Sequence, residues 1–257
     1  MGGDLPLQAR ALALRAGGRV LLEGLDLAVA PGDFVAVLGR NGAGKTLLLH
    51  TLAGLRAPDG GEIHLQGTSL GASSRREIAR RVALLPQDLE PVTDTSALDA
   101  VLVGRYAHRS AWRAGDAADL QIARAALQRA GALELAEREF ATLSGGEQRR
   151  VAAAAVLAQE TPLVLLDEPT NHLDPHHAVG LLALFAAHCA AGGSVVTTLH
   201  DATLAARHAS HVLMLHGDGR WQHGTAAEML TADALSALYL TPMVEHRSGG
   251  RRIFTAL

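Results

Sequence analysis

Apolar and polar residues roughly alternate from Leu7 to Leu14, the period of a strand with one buried face. The stretch LEGLDLAVAPGDFVAVLG, Leu22 to Gly39, continues as further strands around a Pro-Gly turn, and PDGGEIHLQG, Pro58 to Gly67, predicts a hairpin turning at Gly60 and Gly61. The short runs Phe34–Leu38, Val82–Leu85, Leu163–Leu166, Ser194–Leu199 and Val212–Leu215 are nearly unbroken and tightly bounded. With helical stretches between them, such runs predict parallel strands buried on both faces. Residues 88–160 hold none of these runs; there DAADLQIARAALQRAGALELAERE repeats apolar residues at helical spacing, and Thr95–Gly104 predicts another helix. The pattern is that of one α/β domain over residues 1–257, with 1–87 and 161–240 forming the core, 88–160 a helical insertion and 241–257 a tail. In that tail VEHRSGGRRIFTAL predicts a hairpin around Ser248–Gly250.

Composition narrows the classes. At 48% hydrophobic and 19% charged residues the chain is an ordinary globular protein, and its net charge of -3 speaks against a general nucleic-acid binder, which needs a basic surface. The single cysteine, Cys189, forbids an internal disulfide, suits a reducing compartment and reads as a small core residue. The opening MGGDLPLQAR lacks the apolar run of a secretory signal. The longest apolar run, Ala178 to Ala187, stops at 10 residues, well short of a bilayer. A role at a membrane would be exercised from outside the lipid.

Lys45 is the only lysine; every other one of the 23 basic residues is arginine. It sits in GRNGAGKT, a glycine, four residues, then Gly-Lys-Thr, between the strand Phe34–Leu38 and the helix start Leu47–Leu49. That is a phosphate-binding loop. Gly42 and Gly44 let N–H groups turn inward around phosphate oxygens, Lys45 reaches between β- and γ-phosphates, and Thr46 offers its hydroxyl to Mg²⁺. Gly39, Arg40, Asn41, Ala43 and Leu47 complete the expected nucleotide cradle. Next, LVLLDEPTNHLD is a buried strand ending in two acids: Asp167 to hold Mg²⁺ through water, Glu168 to polarise the attacking water. Finally, in LSGGEQRR the residues Ser144, Gly145 and Gly146 open a second helix, so a second hydroxyl and amide cluster lies at a helix N-terminus. One nucleotide rarely needs two cradles from a single chain.

With these motifs the sequence resembles the ATP-binding cassette family, the ATPase subunits of ABC transporters, over nearly its whole length. The resemblance implies a P-loop NTPase core with a mostly parallel sheet, an N-terminal antiparallel β subdomain and an inserted α-helical subdomain. It implies that ATP and Mg²⁺ are bound, and that Ser144, Gly145, Gly146 and Glu147 close over the nucleotide held by a second copy in a homodimer. Gln87, in LLPQD, matches the glutamine that contacts Mg²⁺ and water; His200, ending SVVTTLH, matches the switch histidine; Asp174 matches the acid at the dimer seam. A separate membrane permease is implied, docked near Asp88–Arg105, with a periplasmic binding protein acting indirectly and the chain at the cytoplasmic face of the inner membrane. VLVGRYAHRSAW and GTAAEMLTADALSALYLTPM are most similar to importers of iron siderophores, haem and vitamin B12. An exporter subunit would share every catalytic motif, and a soluble cassette ATPase is the reading from a different class.

Two positions depart from the family pattern. Ala16 stands where an aromatic residue usually stacks on adenine, a contact that Arg15 or Arg19 would then have to supply, and Leu47 stands where threonine is usual. The arginines Arg75, Arg76, Arg80 and Arg81 read as a solvated helix face, and the histidines of HLDPHH as ordinary side chains without converging metal partners.

Overall fold

A computed structural model describes residues 5–89, 94–108, 117–171 and 173–257. Residues 109–112 of the Val101–Trp112 stretch, the first four residues and His172 lie outside the described residues. In chain order the elements are β1 (Leu7–Ala16), β2 (Arg19–Val29), β3 (Phe34–Gly39), α1 (Lys45–Leu52), β4 (Gly60–Leu65), β5 (Thr68–Ser69), α2 (Arg75–Ala79) and β6 (Val82–Leu85). The helical stretch follows with α3 (Ala97–Leu102), α4 (Ala117–Arg129) and α5 (Gly145–Ala158). The chain then re-enters the core through β7 (Leu163–Leu166), α6 (Pro175–Ala190), β8 (Ser194–Thr198), α7 (Ala202–His208), β9 (His211–Leu215) and β10 (Trp221–Thr225). It ends in α8 (Ala226–Met229), α9 (Ala232–Tyr239), β11 (Met243–Ser248) and β12 (Arg251–Ala256).

The main sheet runs β10-β9-β3-β8-β7-β6, parallel except for the edge strand β10. Its central strands are buried along their length, as their unbroken apolar runs require. A second, antiparallel sheet, β2-β1-β4-β5, packs the faces of β1 and β2 with Leu7, Leu12, Leu25 and Leu27 against α1. The opposite face of the main sheet is covered by α5, α6 and α7, with Phe185 fully buried among them. All the catalytic candidates emerge where β3, β6, β7 and β8 end, the crevice that open parallel sheets offer to ligands.

Helix starts follow local chemistry. Ser144 caps α5 and Glu147 bonds back in a capping box, while Asp174 caps α6 with Pro175 in the first turn. The hairpin predicted at Gly60–Gly61 does not form: β4 begins there and pairs with β1, and the turn comes later, at Gln66–Gly67. Gly61 has φ +78°, and a Cβ there would meet the carbonyl oxygens of Arg10 and Ala11 at 2.4 Å. Close strand approach, rather than a turn, explains the glycine. The terminal hairpin forms as β11–β12 and packs on α7. Arg76 and Arg80, read from sequence as solvated, are exposed, yet both donate to the carbonyl of Ala107 and tie α2 to the helical stretch.

Candidate active site

A cleft of about 740 Å³ opens where the strands end, lined by Ala16, Leu21, the phosphate loop, Gln87, Glu168, Asn171 and His200. The loop between β3 and α1 turns on Gly42 (φ +76°) and Gly44 (φ +97°), conformations open to glycine without penalty. Gly39 must also lack a side chain, because a Cβ would stand 2.6 Å from the carbonyl oxygen of Leu215. Lys45 is 5% exposed. Its Nζ donates to the carbonyls of Gly39 (3.0 Å) and Arg40 (3.4 Å) and lies 3.7 Å from Glu168 Oε1. Burial lowers its pKa, opposed by the charges of Glu168 and Asp167. A cation kept in place by two carbonyls and the Glu168 carboxylate is poised for phosphate oxygens. Thr46 and Leu47 line the same cleft.

Asp167 and Glu168 follow β7, in register with the neighbouring strand β8. Thr198, the last residue of β8, joins them: its hydroxyl donates to Asp167 Oδ1 (2.8 Å) and accepts from Glu168 N–H (2.7 Å). Glu168 needs such a tether, because its φ of +43° lies in the left-handed region that L-residues avoid. One Glu168 oxygen accepts from His200 Nε2 at 2.5 Å and the other from Asn171 Nδ2. Asp167 is fully buried, and its Oδ2 has no hydrogen-bond partner among the described residues. Asp167 itself is not among the residues lining the cleft, whereas Thr46 and Gln87 are; a buried carboxylate oxygen left without a donor, next in sequence to Glu168 at the cleft wall, suits an oxygen-seeking cation such as Mg²⁺.

The Ser144–Glu147 cradle is not part of this cleft. Ser144 and Gly145 are exposed at the start of α5, and neither lines the cleft that holds the phosphate loop of their own chain. Ser144 N–H and Oγ both donate to Glu147 Oε2 (2.8 Å each), and Arg138 reaches Glu147 Oε1 at 3.2 Å. These contacts with Ser144 hold the Glu147 carboxyl below its usual range. Asp174 likewise accepts from His177 N–H (2.9 Å) and Nδ1 (2.6 Å), while Arg150 donates to His177 Nε2 at 3.0 Å. Through these contacts the His177 ring links Asp174 to Arg150 of α5.

Sequence reasoning missed two residues. Thr198 carried a faint signal, a hydroxyl at the C-terminal end of a parallel strand two positions before His200. Arg149 carried another: it falls on the buried stripe of α5 with Ala153 and Val156. Its guanidinium, 5% exposed, donates to the carbonyls of Pro86 (2.7 Å), Gln87 (3.0 Å), Asp167 (3.1 Å), Glu168 (3.2 Å) and Pro169 (3.1 Å). Ala16, by contrast, lines the cleft as expected, beside Leu21; Arg15 and Arg19 are not among its lining residues.

Residues 22–171 match the family model described as ABC transporter. Over 245 residues the chain is 41% identical to the hemin import ATP-binding protein HmuV of Bordetella pertussis, an alignment covering 91% of this chain and 92% of that protein. It is 35% identical over 234 residues to the ferric enterobactin transport ATP-binding protein FepC of Escherichia coli, covering 91% and 86%. Among solved structures, a metal-chelate type ABC transporter in an inward-facing conformation superposes with a TM-score of 0.86 at 29% identity, covering 99% of this chain and 98% of that one.

Proposed function

This chain belongs to the ABC transporter family and is one of its ATPase subunits, and from that premise we propose that two copies face each other to power import of haem, or of a related ferric chelate, through a separate permease. The observation that carries the pairing is the split between the two cradles: the phosphate loop lies in the cleft, and Ser144–Gly146 lies outside it, with Ser144 and Gly145 exposed and Gly146 half-buried. A second copy placed head to tail supplies to each nucleotide the hydroxyl and amides that its own chain directs elsewhere.

Within each cleft the N–H groups of residues 42–46 and Lys45 bind the β- and γ-phosphates. Thr46, Asp167 through its bare Oδ2, and Gln87 would hold Mg²⁺, which would supply positive charge to offset that of the phosphates. Glu168 orients the attacking water and accepts its proton, and His200 and Asn171 fix the direction of the carboxylate. Asp174 lies at the seam between the copies. Leu21 and Ala16 form the apolar wall available to adenine.

The permease site we infer is an apolar groove of about 330 Å³ between the end of β6 and the helices α3 and α5, lined by Leu84, Pro86, Leu89, Ala100, Val103 and Phe140. Val103 and Tyr106 stand 70% and 77% exposed beside it, which suits a short amphipathic helix of a membrane partner. Among the described residues no helix is long and apolar enough to cross a membrane; similarity to import ATP-binding subunits supports a place at the cytoplasmic face beside that partner. Haem is favoured as cargo because identity to the hemin import subunit exceeds that to the ferric enterobactin subunit. Reconstitution with the cognate permease in lipid tests this: haem-loaded binding protein should stimulate ATP turnover more than a ferric siderophore does. Equal or reversed stimulation refutes the haem assignment.

A further inference from the structure

The helix that carries the exposed cradle also carries a buried charge. Arg149 is the fifth residue of α5, counted from Gly145, which places it roughly 7 Å along the axis from the Ser144 cap. A guanidinium has five N–H bonds, and here each carbonyl acceptor comes from one of two catalytic loops: Pro86 and Gln87 after β6, and Asp167, Glu168 and Pro169 after β7. Arg149 forms no ion pair among the described residues, although Asp167 and Asp88 lie near enough for their charges to act on it. A buried cation satisfied wholly by main-chain oxygens fixes backbone rather than neutralising a partner. The three residues whose carbonyls it holds, Gln87, Asp167 and Glu168, are those assigned above to Mg²⁺ and the attacking water.

We propose that Arg149 is a positioning residue that keeps Gln87, Asp167 and Glu168 of its own chain in register with the helix that engages the nucleotide of the second copy. This rests on the head-to-tail pairing above. A rigid helix links Ser144 to Arg149, so seating Ser144 on the partner's phosphates and setting the catalytic loops of its own chain become one movement.

Arg149→Lys and Arg149→Gln test it in the full chain, both so that a fold failure of one leaves the other informative. Lysine offers three donors at a point and glutamine two, so neither can serve five carbonyls. The expected result is a split: affinity of the monomer for a fluorescent ATP analogue stays within about twofold, the double variants with Glu168→Gln still dimerise in ATP, and kcat falls at least about tenfold. Trace wild-type chain in excess Arg149→Lys should keep its full rate per wild-type chain, because its own loops are intact and its partner's Ser144 is unchanged. Turnover within twofold of wild type overturns the proposal. So does parallel loss of nucleotide affinity, dimerisation and turnover, which marks a purely structural brace, and so does silencing of the wild-type chain by the variant. If the Glu168→Gln chain alone stays monomeric in ATP, the pairing itself fails, whatever Arg149 does.

Discussion

Thr198 offers a sharp perturbation because its hydroxyl makes two bonds that its shape does not need. Replacing it with valine keeps the volume and deletes both the bond to Asp167 Oδ1 and the bond from Glu168 N–H. Thr198 and Asp167 are fully buried, so no water replaces either bond. A hydrogen bond to a charged group contributes about 1.5–3 kcal/mol and a neutral one about 1 kcal/mol, giving about 3 kcal/mol lost for Thr198→Val. Thr198→Ser keeps the hydroxyl and loses one methyl, about 1 kcal/mol. The two variants should therefore differ by about 2 kcal/mol, or about 4–8 °C in Tm for a chain of this size. Thr198→Val should also lower kcat by about 10- to 100-fold, because Glu168 is held at φ +43° without its tether. Thermal melts and steady-state ATP turnover on both variants read this out. Equal melting temperatures and equal turnover for valine and serine would refute the reasoning.

Ala16→Tyr should tighten ATP binding by stacking on adenine in the cleft, measured by titration calorimetry; unchanged affinity removes the missing-stack argument. Gly61→Ala should cost about 3 kcal/mol in denaturant unfolding, since its Cβ would stand 2.4 Å from two carbonyl oxygens at φ +78°; a loss under about 1 kcal/mol would contradict the strand contact. Burial lowers the pKa of His188, His208 and His223 from 6.5, so below that pH the unfolded chain binds protons that the fold refuses. Stability should therefore be full above pH 6.5 and fall as pH drops below it. A second loss should begin below the ordinary values of 4.5 and 3.8 as the capping carboxyls Glu147 and Asp174, whose pKa values are lowered, take up protons. Calorimetric melts from pH 8 to 2 follow both, and a flat Tm between pH 7 and 5 would contradict the histidine part.

The parallel strands of the core were legible because burial on both faces writes an unbroken apolar run, and Phe34–Leu38, Val82–Leu85 and Leu163–Leu166 coincide with β3, β6 and β7 to within a residue. The phosphate loop was legible because its geometry is local: the glycine main chain and the lysine and threonine side chains act within eight positions. Thr198 and Arg149 were not, because their partners lie 31 and about 20 to 60 residues away and meet them only through the sheet order β8-β7-β6. Gly60 and Gly61 misled for a related reason. Glycine serves both a turn and a close strand approach, and only the pairing of β4 with β1 decides between them. The short β10 and α8 near the C-terminus carry too few residues for a periodic signal.

The account depends on ATP drawing two copies together with Ser144 of each over the phosphates of the other. Sedimentation of the Glu168→Gln chain with and without ATP measures this directly. The account predicts a monomer without nucleotide, a stable dimer with ATP, and a return to monomer when Ser144→Ala is added. A Glu168→Gln chain that binds ATP and remains monomeric, or one that dimerises equally well with Ser144→Ala, would contradict it.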